Sequence, residues 1–87
     1  MRIQIDPHTL RRAEERGTNE AEIREVITSG APIPAKYGRM GRTKVFEFGR
    51  SRHGKPFEQK RVEVLYSLEE ETIITVTVYV FYGKWEA

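Results

Sequence analysis

Polar and apolar residues alternate from Arg2 to Ile5, the period of a short strand. Asp6-Pro7 then predicts a helix start. The Asp side chain can accept from free backbone N–H groups, and Pro at the first helical position loses nothing by lacking a donor. This helix runs to about Arg16, where Gly17 supplies a left-handed stop. Its apolar face is thin, carried by Leu10 and Ala13. Asn19-Glu20-Ala21-Glu22 reads as a capping box, with Thr18 as a rival cap, and opens a second helix. Ile23, Val26 and Ile27 give that helix one buried stripe, and Gly30 ends it. Ala31-Pro32-Ile33-Pro34 cannot continue a helix and reads as an extended connection.

Strand periodicity takes over from there. Thr43 to Gly49 alternates Lys44, Phe46 and Phe48 against Thr43, Val45 and Glu47. A basic, glycine-containing loop is expected from Arg50 to Pro56. Gln59 to Leu68 forms the next strand, with Val62, Val64 and Tyr66 opposed to Arg61, Glu63 and Leu65. Glu69-Glu70-Glu71 is a solvated turn. Thr72 to Tyr82 is β-branched almost throughout, with Ile74, Val76, Val78 and Val80 expected on one face and Ile73, Thr75, Thr77, Tyr79 and Phe81 on the other. Gly83 breaks it and residues 84–87 form a tail. The order predicts a single α+β domain over residues 1–87, with an N-terminal strand and two helices packed on one face of a C-terminal antiparallel sheet. The second sheet face would carry Arg61, Glu63, Thr75, Thr77, Tyr79 and one row of the Thr43–Gly49 strand. A sheet with one dry face and one polar, basic face suits a ligand platform.

Charge changes this picture most. Lys36 to Arg61 holds nine Lys or Arg and two acids, a net +7, while the remaining residues sum to −5. Packing alone gives no reason for such segregation, and an anionic partner does; for a small basic domain that partner is most often nucleic acid. The chain has no cysteine and two histidines, His8 and His53, so neither a disulfide nor a zinc site is expected, and no cofactor. No apolar run approaches the ~20 residues that span a bilayer. The polar opening Met1-Arg2-Ile3-Gln4-Ile5 does not read as a signal peptide, so the cytoplasm is the expected location and no membrane partner is foreseen.

The strings His8-Thr9-Leu10-Arg11-Arg12-Ala13-Glu14-Glu15-Arg16-Gly17 and Glu22-Ile23-Arg24-Glu25-Val26-Ile27 resemble the opening of a small bacterial family, domain of unknown function forty-two fifty-eight. Val62-Glu63-Val64-Leu65-Tyr66 and Ile73-Ile74-Thr75-Val76-Thr77-Val78-Tyr79 are similar to the end of the same family. The resemblance spans nearly the whole chain. It implies a fold related to the RelE and BrnT toxins of bacterial toxin–antitoxin pairs. Those are small, basic, cytoplasmic proteins, many of which cut messenger RNA, often on the ribosome, until an antitoxin protein silences them.

Metal-independent RNA cleavage needs a base for the 2′-hydroxyl, cations for the phosphorane and a proton for the leaving oxygen. His8, Lys44, Arg61 and Tyr79 are the candidate catalytic residues on that reading. Arg42, Arg50, Arg52, Lys55 and Lys60 are the candidate RNA- and phosphate-binding residues. Each also has a structural reading. Arg42 and Lys44 suit a solvated strand edge, Arg61 an ion pair with Glu63, Tyr79 a half-buried strand position, and His8 a bond to a neighbouring strand. Three functions stay open: an RNA-cleaving toxin, a non-catalytic RNA- or protein-binding module on the same fold, and a protein whose basic loop docks an antitoxin. Exposed edge strands leave room for a homodimer.

Overall fold

The computed structural model describes residues 1–85; Glu86 and Ala87 of the expected tail lie outside the described residues. The elements run β1 (Arg2–Gln4), α1 (Pro7–Arg16), α2 (Glu20–Ser29), β2 (Ala31–Ile33), β3 (Met40–Arg52), β4 (Lys55–Glu69) and β5 (Thr72–Gly83). One five-stranded sheet has the order β1-β5-β4-β3-β2. Both helices cover one face, as the pattern predicts. The sheet is mixed, because β1 joins β5 in parallel while the other pairs are antiparallel.

Local chemistry sets the helix ends. Asp6 is the N-cap of α1 and accepts from the His8 N–H at 2.8 Å; Asn19 caps α2 and accepts from Glu22 N–H at 2.9 Å. Gly17 closes α1 at φ 94°, and a Cβ there would also collide with the Tyr82 hydroxyl. The core joins Ala13, Ile23, Val26 and Ile27 of the helices to Val62, Val64, Tyr66, Ile73 and Val78 of the sheet. Leu10 departs from expectation: it is largely solvated, and Thr9 with Ala13 forms the buried face of α1.

Three differences in the strands matter for the site. First, the expected loop from Arg50 to Pro56 is ladder, closed by a two-residue turn with His53 at φ 51° and Gly54 at φ 80°. Both central residues are left-handed, the geometry that matches the twist of paired strands. Second, the expected connection Ala31–Ile33 is an edge strand on β3; Pro32 is tolerated there because an edge leaves one side of the ladder unpaired. Third, β5 contains a bulge: Leu65 pairs with Thr77 but Tyr66 pairs with Thr75, leaving Val76 as the extra residue. The bulge breaks the alternation read from sequence. Ile73 and Thr75 face the helices before it, and Val78 and Val80 face them after it. Thr75, expected on the open face, is thus buried, where its hydroxyl accepts from Asp6 N–H at 3.0 Å and donates to Thr9 Oγ1 at 2.9 Å.

Candidate nucleic-acid interface

The helices carry carbonyls at their C-terminal ends that the helical ladder cannot satisfy. In α1 these are met by the sheet: Arg52 Nη2 donates to Glu15 O at 2.9 Å, Tyr82 OH to Arg16 O at 2.6 Å and Lys60 Nζ to Gly17 O at 2.8 Å. At the end of α2, Arg42 Nη1 donates to Gly30 O at 2.8 Å, and Lys44 Nζ reaches Ser29 Oγ at 3.1 Å and Glu25 at 2.6 Å. Cations there also oppose the negative end of the helix dipole. Part of the charge segregation therefore has a packing cause, which the sequence did not reveal. Arg42, Lys44, Arg52 and Lys60 all spend donors on helix termini.

Strand register explains this placement. Arg42 pairs with Val64, Lys44 with Val62 and Phe46 with Lys60, so all three β3 residues share the helix-covered face. Lys60 is 5% exposed and forms a 2.7 Å ion pair with Glu22. As a candidate phosphate contact it is corrected: its ammonium is enclosed and committed. Arg42 and Lys44 share a face, as their spacing requires, but it is the face opposite Arg61.

The hairpin end carries Arg50, Arg52, His53 and Lys55. Arg50 lies over the Phe48 ring at 4.9 Å and Arg52 over Tyr82 at 5.0 Å, in a cluster where Phe48 and Phe57 approach Tyr82 to 5.2 and 5.6 Å. Burial raises the Tyr82 phenol above its ordinary pKa of 10.0, so it remains the donor its bond to Arg16 O requires. His8 is exposed on the first turn of α1, on the helix side of the sheet.

The helix-free face is built differently. Across β5, β4 and β3 its rows are Phe81, Arg61 and Val45, then Tyr79, Glu63 and Thr43, then Thr77, Leu65 and Gly41. Arg61 Nη2 pairs with Glu63 Oε2 at 3.1 Å, and its guanidinium lies 5.2 Å from the Phe81 ring and 5.4 Å from Trp85. Its buried Nε has no partner among the described residues. Trp85 is held over the sheet by its backbone N–H, which donates to Gln59 Oε1 at 2.7 Å. Arg16 leaves the end of α1, rounds the free edge of β5, donates to Val78 O at 2.6 Å and lies 5.1 Å from the Tyr79 ring. Tyr79 and Phe81 remain 41% and 43% exposed.

One further segment joins this face. Residues 34–39 follow β2 beside Glu63, Leu65 and Tyr79, and at Gly41 a Cβ would stand 2.8 Å from Ile33 Cγ1 and 3.0 Å from Leu65 Cδ2. The segment turns at Tyr37 and Gly38, with φ 61° and 70°, and Arg39 N–H donates to Lys36 O at 3.2 Å. Between it and the sheet lies a groove of about 340 Å³, lined among others by Lys36, Tyr37, Arg39, Glu63, Leu65 and Tyr79. Among the described residues, no carboxylate lies within ion-pair reach of Lys36, Arg39, Arg50 or Lys55.

Of the four candidate catalytic residues, Arg61 and Tyr79 thus share the open face, whereas His8 and Lys44 lie on the helix side. Sequence reasoning put Phe81 on the face of Tyr79 but missed Lys36, Tyr37, Arg39 and Trp85 as members of this surface. Tyr37-Gly38 between two cations was the available signal, since such a pair favours a tight turn. Among the described residues no three His, Asp or Glu side chains gather as a metal site needs, and no helix is long and apolar enough to cross a membrane. Compared with known protein families, curated proteins and solved structures, the chain matches none.

Proposed function

We propose that this protein is a single-stranded RNA-binding module that receives its ligand on the helix-free face of the sheet. The observation that carries the reading is the combination of aromatic rings and cations there: the exposed Tyr79 and Phe81 and the partly buried Trp85 beside Arg16 and Arg61, flanked by Lys36, Tyr37 and Arg39. Unpaired bases stack on aromatic rings and guanidinium planes, and surrounding cations neutralise the backbone. The relation to the RelE and BrnT fold that the resemblance of its opening and closing strings implies favours RNA over DNA as the polymer.

Binding is favoured over cleavage because His8 and Lys44 do not join Arg61 and Tyr79. The test is fluorescence anisotropy with labelled single-stranded RNAs of about ten nucleotides across a salt series, with the same samples run on a sequencing gel. Affinity that falls steeply with salt, and tenfold or more with Tyr79→Ala/Phe81→Ala, supports the reading. Loss of affinity confined to hairpin-end variants, with the Tyr79/Phe81 variant unaffected, overturns it. Cut products that vanish with Arg61→Ala would restore the nuclease reading at this same face.

A further inference from the structure

The groove beneath residues 34–39 has a chemistry more selective than general RNA binding requires. Its volume falls within the ~300–1,000 Å³ of small-ligand sites. Its floor is apolar at Leu65, and its flanks carry two tyrosines. Tyr37 is 88% exposed at the tip of the turn that Arg39 N–H closes on Lys36 O. Among the residues lining the groove Glu63 is the one carboxylate. Arg61 engages its Oε2 at 3.1 Å, and the Glu63 side chain keeps 19% exposure.

A carboxylate accepts and cannot donate, and its two oxygens suit two parallel N–H donors. Guanine presents two adjacent donors on its Watson–Crick edge, N1–H and the 2-amino group. Adenine and cytosine each present one amino group beside an acceptor, and uracil one imide N–H between two acceptors. An acceptor-only group therefore satisfies guanine best and leaves acceptors of the other bases facing a negative charge. Lys36 and Arg39 stand beside the same groove, where the phosphates flanking a bound nucleotide would lie.

We propose that this groove is a guanine-recognition pocket for single-stranded RNA, with Glu63 reading N1–H and the 2-amino group and Tyr37 and Tyr79 contacting the base plane. The proposal rests on the RNA-binding reading of the open face and adds its base specificity.

The test compares uridine decamers carrying one central guanosine, inosine or adenosine, by anisotropy at fixed salt. Inosine keeps N1–H and lacks only the 2-amino group. Wild type should prefer guanosine to inosine about tenfold, the worth of one hydrogen bond to a charged acceptor, and to adenosine by more. Glu63→Gln should bring the three within about threefold of one another, whatever the common change in affinity from removing the negative charge beside Arg61. Equal wild-type affinity for all three RNAs overturns the guanine pocket and leaves the RNA-binding reading standing. No affinity for any RNA, with the protein folded by circular dichroism, overturns both. Should Glu63→Gln fail to fold, the wild-type inosine comparison still decides. A preference that survives in folded Glu63→Gln removes Glu63 from the assignment and overturns the proposal as stated.

Discussion

Lys60 Nζ stands 2.7 Å from Glu22 Oε1 and 2.8 Å from the carbonyl of Gly17, so one ammonium ties the sheet to the start of α2 and the end of α1. The pair is shielded, with the Lys60 side chain 6% exposed, and this separates it from the solvated pairs Arg12–Glu15 and Arg24–Glu20 on the helix surfaces. Exposed pairs contribute about 0–1 kcal/mol, whereas breaking an enclosed one leaves a partner desolvated and unpaired.

Lys60→Ala should therefore destabilise the fold by about 3 kcal/mol, read as a lower urea midpoint. Its RNA affinity, measured on the folded protein, should match wild type. A large loss of affinity at unchanged stability would return Lys60 to the phosphate contacts.

The salt dependence of binding should sort the remaining cations. Each phosphate contact to a single strand contributes about 0.7 to the slope of log K against log salt. Lys36→Ala/Arg39→Ala should lower that slope by about 1.4. Arg42→Ala/Lys44→Ala should leave it unchanged and lower the melting temperature instead, since those donors serve Gly30 O, Ser29 and Glu25.

Tyr82 gives the fold an alkaline limit. Its phenol is held above the ordinary 10.0 by burial, and its O–H donates to Arg16 O. A folded-state pKa above the unfolded value means that the folded protein binds the proton more tightly. The stabilisation is therefore complete below about pH 10 and is lost as pH rises through the folded value. Tyr82→Phe should cost about 1 kcal/mol at neutral pH and flatten the decline of melting temperature above pH 10.

The bulge at Val76 places the Thr75 hydroxyl between Asp6 N–H and Thr9. Thr75→Val keeps the shape but leaves the Asp6 donor without that acceptor, and should cost about 1–3 kcal/mol in thermal or urea unfolding. Thr77→Val, on the other side of the bulge, should change stability by less than about 0.5 kcal/mol. Equal effects at the two positions would contradict the inward placement of Thr75.

Gly41→Val should displace the Ile33 and Leu65 side chains, both of which line the groove. Because the displaced atoms are ends of side chains, stability should fall modestly. RNA affinity should fall at least threefold, checked by anisotropy beside circular dichroism.

The sequence by itself determined the two helices and the three long strands, though not the tight His53-Gly54 turn between two of them. Asp6-Pro7, Gly17 and Asn19 mark helix ends because their bonds and backbone angles lie within a few residues. The i, i+3, i+4 stripe of Ile23, Val26 and Ile27, and the alternation from Arg61 to Tyr66, identify the faces that must leave water. Together these suffice for an α+β domain with two helices on one sheet face. Only the tertiary structure decided what depended on register. One extra residue at Val76 reverses the faces of β5, and no composition signal marks it. The pairing of Arg42 with Val64 and Lys44 with Val62 sends two cations beneath the helices, while Arg61, in the neighbouring strand, faces the open side. Helix termini draw in Arg52 and Lys60 from residues more than thirty positions away. The open face was legible as a row of residues, but its groove was not: it lies between residues 34–39 and Glu63, Leu65 and Tyr79, a juxtaposition of a turn and a sheet that one-dimensional periodicity does not encode.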